Sequence, residues 1–202
     1  MKNEHLRIVC LGGLLALLLG GCATQTAYVN PEGPEMIVSI DRINIQDFSN
    51  AADTLVNSLM DDVIDQDKLV SSVRNEPALL AISRIKNNTG RQIDTDLLVK
   101  RIRIALLRTG KIQTTTTMNL GGPEDPLAAD NQKAKEFFKD QAYSRLPDYT
   151  LSGKIIEERA RDGNLRQTSF VFQLSLSSSS GIAIWEDQKV ITKQGKRSSV
   201  SF

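Results

Sequence analysis

Ser83-Arg84-Ile85-Lys86 has the S-x-x-K spacing of an acyl-transfer nucleophile, in which a lysine one helical turn on serves the serine. That chemistry needs both side chains on one face. The surrounding run from Pro77 to Lys86, with Ala78, Leu79, Leu80, Ala81, Ile82 and Ile85, instead reads as a strand, where Ser83 and Lys86 are expected on opposite faces. Arg108-Thr109-Gly110, a distant likeness of K-T-G, falls at a predicted helix end, and no S-D-N follows. Asp61, Asp62, Asp65 and Asp67 lack the alternating D-x-D-x-D-G order that wraps oxygens around calcium. Four carboxylates at a helix C-terminus oppose the macrodipole, so they read as a solvated helix end. No G-x-S-x-G, P-loop or G-x-G-x-x-G is present. Nothing orders two carboxylates around a scissile bond as a glycosidase requires. The expectation is a protein that is not an enzyme, with no catalytic, cofactor-binding or metal-ligating residues.

The remaining reactive side chains sharpen that expectation. Among 202 residues there are one histidine and two cysteines, His5, Cys10 and Cys22, all near the N-terminus. Lys2 and Arg7 precede an apolar run from Ile8 through Leu19, interrupted by Gly12 and Gly13 and followed by Gly20-Gly21-Cys22. This is the layout of a secretory signal, shorter than the roughly 20 residues of a membrane-spanning helix. Leu19-Gly20-Gly21-Cys22 resembles a bacterial lipobox, which predicts cleavage between Gly21 and Cys22 and acylation of Cys22. Each buried acyl methylene contributes about 0.8 kcal/mol, and two or more chains anchor stably. Alanine at position 23, rather than aspartate, favours the outer membrane over the inner, with the domain on the periplasmic face. Removal of residues 1–21 takes Lys2, Arg7 and Glu4 with it, leaving 23 basic and 23 acidic residues. A neutral domain supplies no field for a nucleic-acid backbone, so no nucleic-acid partner and no small-molecule substrate are expected.

The elements that hold these residues follow from pattern. Residues 22–35 carry the lipidated cysteine and a Pro- and Gly-containing tether; the 13 residues after Cys22 extend at most about 45 Å. A single domain is expected over residues 36–202. Ala52, Leu55, Val56, Leu59, Met60, Val63 and Ile64 fit a helix with Asn50 as N-cap and Asp53 at N3. The strand at Pro77–Lys86 follows, and Asp94 caps a second helix to Thr109, whose outer arc carries Lys100, Arg101 and Arg108. Lys111–Thr117 reads as a strand and Pro126–Tyr143 as a third helix. Three antiparallel strands close the chain: Tyr149–Ala160, a turn at Asp162-Gly163-Asn164, Gln167–Ser177, and Ile182–Lys193. The fold class is α/β: a mixed, largely antiparallel sheet of four to five strands with about three to four helices. Trp185 reads as core, and Lys189, Lys193, Lys196 and Arg197 as protection of an edge strand.

Two halves of this pattern carry a family resemblance. Ile85-Lys86-Asn87-Asn88-Thr89, Ile93-Asp94-Thr95 and the helix ending at Gly110-Lys111 resemble the first half of the LpoB family of outer-membrane lipoproteins, the penicillin-binding-protein activators. Pro147-Asp148-Tyr149-Thr150-Leu151-Ser152-Gly153-Lys154-Ile155 and the run from Ile184 to Lys193 resemble the second half, so the likeness spans about Asp47 to the C-terminus. The resemblance implies a compact domain similar to the periplasmic part of CsgG and the N-terminal domain of TolB. It further implies a partner, the accessory domain of a bifunctional class A penicillin-binding protein, activated without chemistry by the lipoprotein itself. The alternatives are a CsgG-like envelope assembly or secretion component, or a lipoprotein adaptor with another periplasmic partner. A pore would need amphipathic strands of about 9–11 residues beyond those of the core, and none is spare.

Overall fold

The computed structural model describes residues 26–31, 33–116 and 145–196. The signal segment with Gly21 and Cys22, the predicted helix at Pro126–Tyr143, and Arg197 lie outside the described residues. The chain divides into two units, Met1–Met36 and Ile37–Phe202. In the first, the described residues form tight turns, with the Gly33 N–H donating to Asn30 O at 2.9 Å.

Helix α1 runs Ile45–Leu59 and starts at Asn44 rather than at the expected Asn50. The N-x-x-D signature occurs twice, as Asn44-Ile45-Gln46-Asp47 and as Asn50-Ala51-Ala52-Asp53. The first is used: the Asn44 N–H donates to Asp47 Oδ2 at 2.7 Å, the N3 half of a capping box. Starting there brings Phe48 into the core, edge-on to Phe172 with centroids 6.0 Å apart. At its far end the helix widens into a π-turn, Met60–Ile64, which keeps Val63 and Ile64 buried.

Among the described residues the sheet has six strands, more than the four to five expected: β1 Ala78–Ile82, β2 Lys86–Asn88, β3 Ile112–Thr114, β4 Tyr149–Asp162, β5 Leu165–Ser178 and β6 Ala183–Lys196. Helix α2, Asp96–Arg108, lies between β2 and β3 in sequence. Two long helices are therefore found among the described residues, against the expected three to four. The strand order is β3-β1-β4-β5-β6, with β2 beside β4; the short strands pair parallel, and β4, β5 and β6 form an antiparallel meander. β1 is apolar almost throughout, as parallel strands are.

The strand expected over Pro77–Lys86 is broken. Ile82 registers with Leu151 and Lys86 with Lys154, so four steps on one side match three on the other. The extra residue forms a bulge over Ser83–Ile85, anchored by the Ser83 N–H donating to Leu151 O at 2.8 Å. A bulge resets alternation. Ile85 stays in the core, while Ser83 and Lys86 line one hollow instead of opposite faces. No hydrogen bond joins them.

On the covered face of the meander, Leu151 and Ile155 of β4, Phe170, Phe172, Leu174 and Leu176 of β5, and Trp185 of β6 are buried with Leu55, Leu59, Leu98, Ile102 and Leu106 of the helices. Trp185 sits in this core as expected, and its indole N–H finds no acceptor among the described residues. Gly153 is required by close approach: a Cβ there would stand 2.5 Å from Gln173 O and 2.7 Å from Leu174 Cδ2. Gly163, with φ +51, is the first of the two residues joining β4 to β5, where a II′ hairpin needs glycine.

Candidate interaction surface

The segments that carry the family likeness become structural hubs. Asp148 is buried at the start of β4; Oδ1 accepts the Ser72 N–H at 3.0 Å, and Oδ2 accepts the Leu79 N–H at 2.8 Å and Arg145 Nη2 at 2.7 Å. Burial pushes this carboxyl up, and the hydrogen bonds from Ser72, Leu79 and Arg145 together overcome that and hold it below its ordinary value. Arg145 also reaches Glu76, Ser71 Oγ and Pro77 O, and the Val70 N–H donates to the Tyr149 hydroxyl at 2.9 Å. Pro147-Asp148-Tyr149 thus fastens the loop of residues 70–77 to the sheet.

After β2, Asn87 Oδ1 accepts the Thr89 N–H at 3.0 Å and Asn87 Nδ2 donates to Arg91 O at 2.7 Å. This fixes the turn into α2, where Asp94 Oδ1 accepts the Asp96 N–H at 2.9 Å. At the other end of the meander Lys193 is not an edge guard. Its ammonium is almost buried and donates to Asp47 Oδ2, to Asn44 Oδ1 at 2.6 Å and to Arg42 O at 2.9 Å. It ties residues 39–47 over β6, where Ile40 packs on Gly195.

Between these two anchored loops lies a groove of about 710 Å³. Its floor is apolar, formed by Phe48, Phe170, Ile43 and Ile93, with Leu97 half-exposed at one side. Arg42 and Arg91 stand on its rim. Arg91 Nη2 is paired with Asp41, and the side chain of Glu157 is buried, accepting the Gly90 N–H at 3.0 Å while also meeting Arg159. The Arg42 guanidinium has no carboxylate partner among the described residues. From Leu97 the apolar surface continues along the outside of α2 through Ile104 and Leu107, 42% and 47% exposed. Lys100, Arg101 and Arg108 flank it. An apolar centre with an arginine rim is the composition of a protein-binding patch.

Other predicted residues are not brought together. Asp65 receives Lys111 Nζ at 2.8 Å, a hydrogen bond that raises the Lys111 pKa, and Asp62 accepts from Ser58. No group of three or more metal-ligating side chains is found among the described residues, and no helix among them is long and apolar enough to cross a membrane. Arg42, Phe48, Arg91, Leu97 and Phe170 carry no local sequence signal, because they meet only in three dimensions.

The family model described as the peptidoglycan-synthase activator LpoB matches residues 47–191. The chain belongs to the LpoB family. The match begins at Asp47, the carboxylate that holds Lys193, and takes in the loop after β2 and the whole of α2, while residues 39–46 precede it. LpoB-family proteins are regulatory activators of peptidoglycan synthesis. No curated protein matches the chain by sequence. Among solved structures, the C-terminal domain of LpoB from Escherichia coli is similar at 15% identity, covering 72% of this chain and 98% of that one, with a TM-score of 0.41. The NMR structure of E. coli LpoB shows 14% identity over 87% of this chain and 86% of that one, with a TM-score of 0.39. The lipoprotein GNA1162 from Neisseria meningitidis shows 15% identity over 61% of this chain and 88% of that one, with a TM-score of 0.35.

Proposed function

We propose that the chain is a lipoprotein held by acylated Cys22 in the outer membrane, facing the periplasm, whose domain over residues 36–202 binds and activates a class A penicillin-binding protein. The observation that carries the reading is the family match across 47–191, a span that supplies most of the groove's lining, with Arg42 and Ile43 preceding it. Activation requires no catalytic group on this chain. It requires that the groove and the outer face of α2 bind the synthase's active conformation more tightly than its inactive one, because a ligand shifts an equilibrium only by its differential affinity. Leu97 and the apolar floor supply buried contact, and Arg42 supplies a charge free to pair with an acidic group on the synthase.

The test is capture of class A synthase from detergent extracts by the immobilised domain, with glycan polymerisation measured in its presence. The expected result is retention and a raised rate, with both lost on Leu97→Asp or Arg42→Glu while the far-ultraviolet spectrum is unchanged. A synthase that is neither retained nor accelerated overturns the activator reading. Cys22→Ser is expected to move the protein to the soluble periplasmic fraction; persistence with membranes overturns the anchor.

A further inference from the structure

The face of the meander opposite the helices carries a second, chemically different hollow, about 760 Å³ in volume. Register arranges its side chains in rows across the strands. One row runs Lys86, Lys154, Gln173, Gln188 through β2, β4, β5 and β6; the next runs Ser152, Ser175, Glu186. The polar groups to the right of these rows are satisfied by one another: Gln173 Nε2 donates to Gln188 Oε1 at 2.9 Å and Ser175 Oγ to Glu186 Oε1 at 2.9 Å. The cations at the left are not. Lys86 and Lys154 are direct register partners on neighbouring strands, about 4.8 Å apart at the backbone. Arg84, from the bulge, lines the same hollow. All three are exposed, and none has a carboxylate partner among the described residues.

Like charges placed directly opposite destabilise a sheet, and among the described residues no carboxylate is paired with either lysine. Glu186 and Asp187 lie on β6, two strand spacings from Lys154 and three from Lys86, roughly 10 and 14 Å. That is about a Debye length or more at physiological salt, too far to neutralise the lysines. The bulge at Ser83–Ile85 contributes by turning Arg84 and Ser83 toward the hollow while Ile85 remains core. The result is a shallow trough, cationic at one end, lined beyond it by hydroxyls and amides at sheet spacing and bounded at the β6 end by Glu186 and Asp187, with Leu174 the one large apolar residue of its lining.

We propose that this face binds a carboxylate-bearing glycopeptide, its carboxylates over Arg84, Lys86 and Lys154 and its hydroxyl and amide groups along Ser152, Gln173 and Gln188. The assignment of that chemistry to peptidoglycan rests on the activator reading above, which places the domain beside that polymer. The arrangement would let one chain hold the wall strand on one face of the sheet while the groove engages the synthase. Charge and hydrogen-bonding capacity divide the two surfaces: an apolar, arginine-rimmed groove for folded protein, and a polar, lysine-headed trough for a hydrated strand.

The test uses the full chain purified in detergent and a soluble disaccharide-peptide with free stem carboxylates, with affinity read by titration NMR on the Lys86–Lys154 region. Lys86→Ala with Lys154→Ala is expected to weaken binding about tenfold, the effect of losing one or two charge-assisted hydrogen bonds. The same variant is expected to leave the melting temperature equal to or above that of the parent, because a repulsive pair is removed. Lys86→Arg with Lys154→Arg is expected to restore binding. The same disaccharide-peptide with amidated carboxylates is expected to bind as weakly as the alanine variant. No binding by the parent chain, equal binding by the alanine variant, or equal binding of the amidated ligand each overturns the proposal. Loss of synthase stimulation in the alanine variant also overturns it, by making this face the synthase site. Because glycopeptide affinity is measured without synthase, failure of the activator reading leaves this result standing and is separately visible.

Discussion

The two faces of strand β5 are made from alternate residues of one segment and have opposite characters. On the covered side Phe170, Phe172, Leu174 and Leu176 are buried against helices α1 and α2. On the open side Ser169, Gln173 and Ser175 bond side chain to side chain with Thr192, Gln188 and Glu186 of β6. The covered face settles the register, since a slip of one residue would exchange its four large apolar side chains for three polar ones and Val171. The open face inherits that register without having to enforce it. Its residues are therefore free to be selected for what they touch outside the molecule, whereas those beneath are held by packing.

The contrast breaks most severely at Phe172, which stacks edge-on with Phe48 and is 1% exposed. Phe172→Ala is expected to cost about 3–5 kcal/mol, transfer and cavity together, measured by urea unfolding. Next comes Lys193, the one covered-face residue of β6 that is charged yet nearly buried. Lys193→Ala leaves the Asp47 carboxylate without its ammonium, and about 3 kcal/mol is expected because a buried ion is stranded. Lys193→Ala combined with Asp47→Ala should recover part of that loss.

Asp148 lies at the edge of the same core and provides the pH-dependent prediction. Asparagine there supplies one acceptor oxygen where the carboxylate supplies two, so a donor from Ser72 or Leu79 faces an amide NH2, at a cost of about 1–3 kcal/mol. Because the folded-state pKa is lowered, the stabilisation is present above the unfolded value of about 3.9 and is lost as pH falls through the folded value. The parent protein is expected to lose stability below about pH 4 more steeply than Asp148→Asn. Parallel acid transitions in the two proteins would place the ionised carboxylate elsewhere.

Alternation made the meander legible from sequence: Phe170 to Leu176 against Ser169 to Ser175 has only one reading in a half-buried strand, and Trp185 fell on the correct side. What was not legible depended on choice between local equivalents or on distance along the chain. Asn44 and Asn50 offer the same cap chemistry, and the tie is broken by Phe48 meeting Phe172, 124 positions away. Lys193 looks like any edge lysine until Asp47 and Asn44 arrive from the other end of the domain. The bulge at Ser83–Ile85 is visible only through its partner strand, because the segment's own apolar pattern suits a regular strand equally well. The groove was beyond reach for the same reason: its floor joins α1 to β5, and its rim joins the residues before α1 to the loop before α2.

The smallest expected effect is the one that sharpens the comparison most. Gln188→Ala removes the partner of Gln173 on the open face, where both amides are exposed and water replaces the lost bond. The change in stability is expected to stay within about 0.5 kcal/mol, as for other surface positions away from core and caps. If the open face were only the outer skin of the fold, nothing else would change. If it is a binding trough, the same substitution reduces glycopeptide affinity while unfolding is unaltered, since the amide then contacts a ligand whose hydroxyl loses a partner in a less hydrated setting. A variant that leaves stability untouched and binding diminished separates a residue kept for packing from one kept for recognition, which Phe172→Ala cannot do, because it removes the scaffold of both surfaces at once.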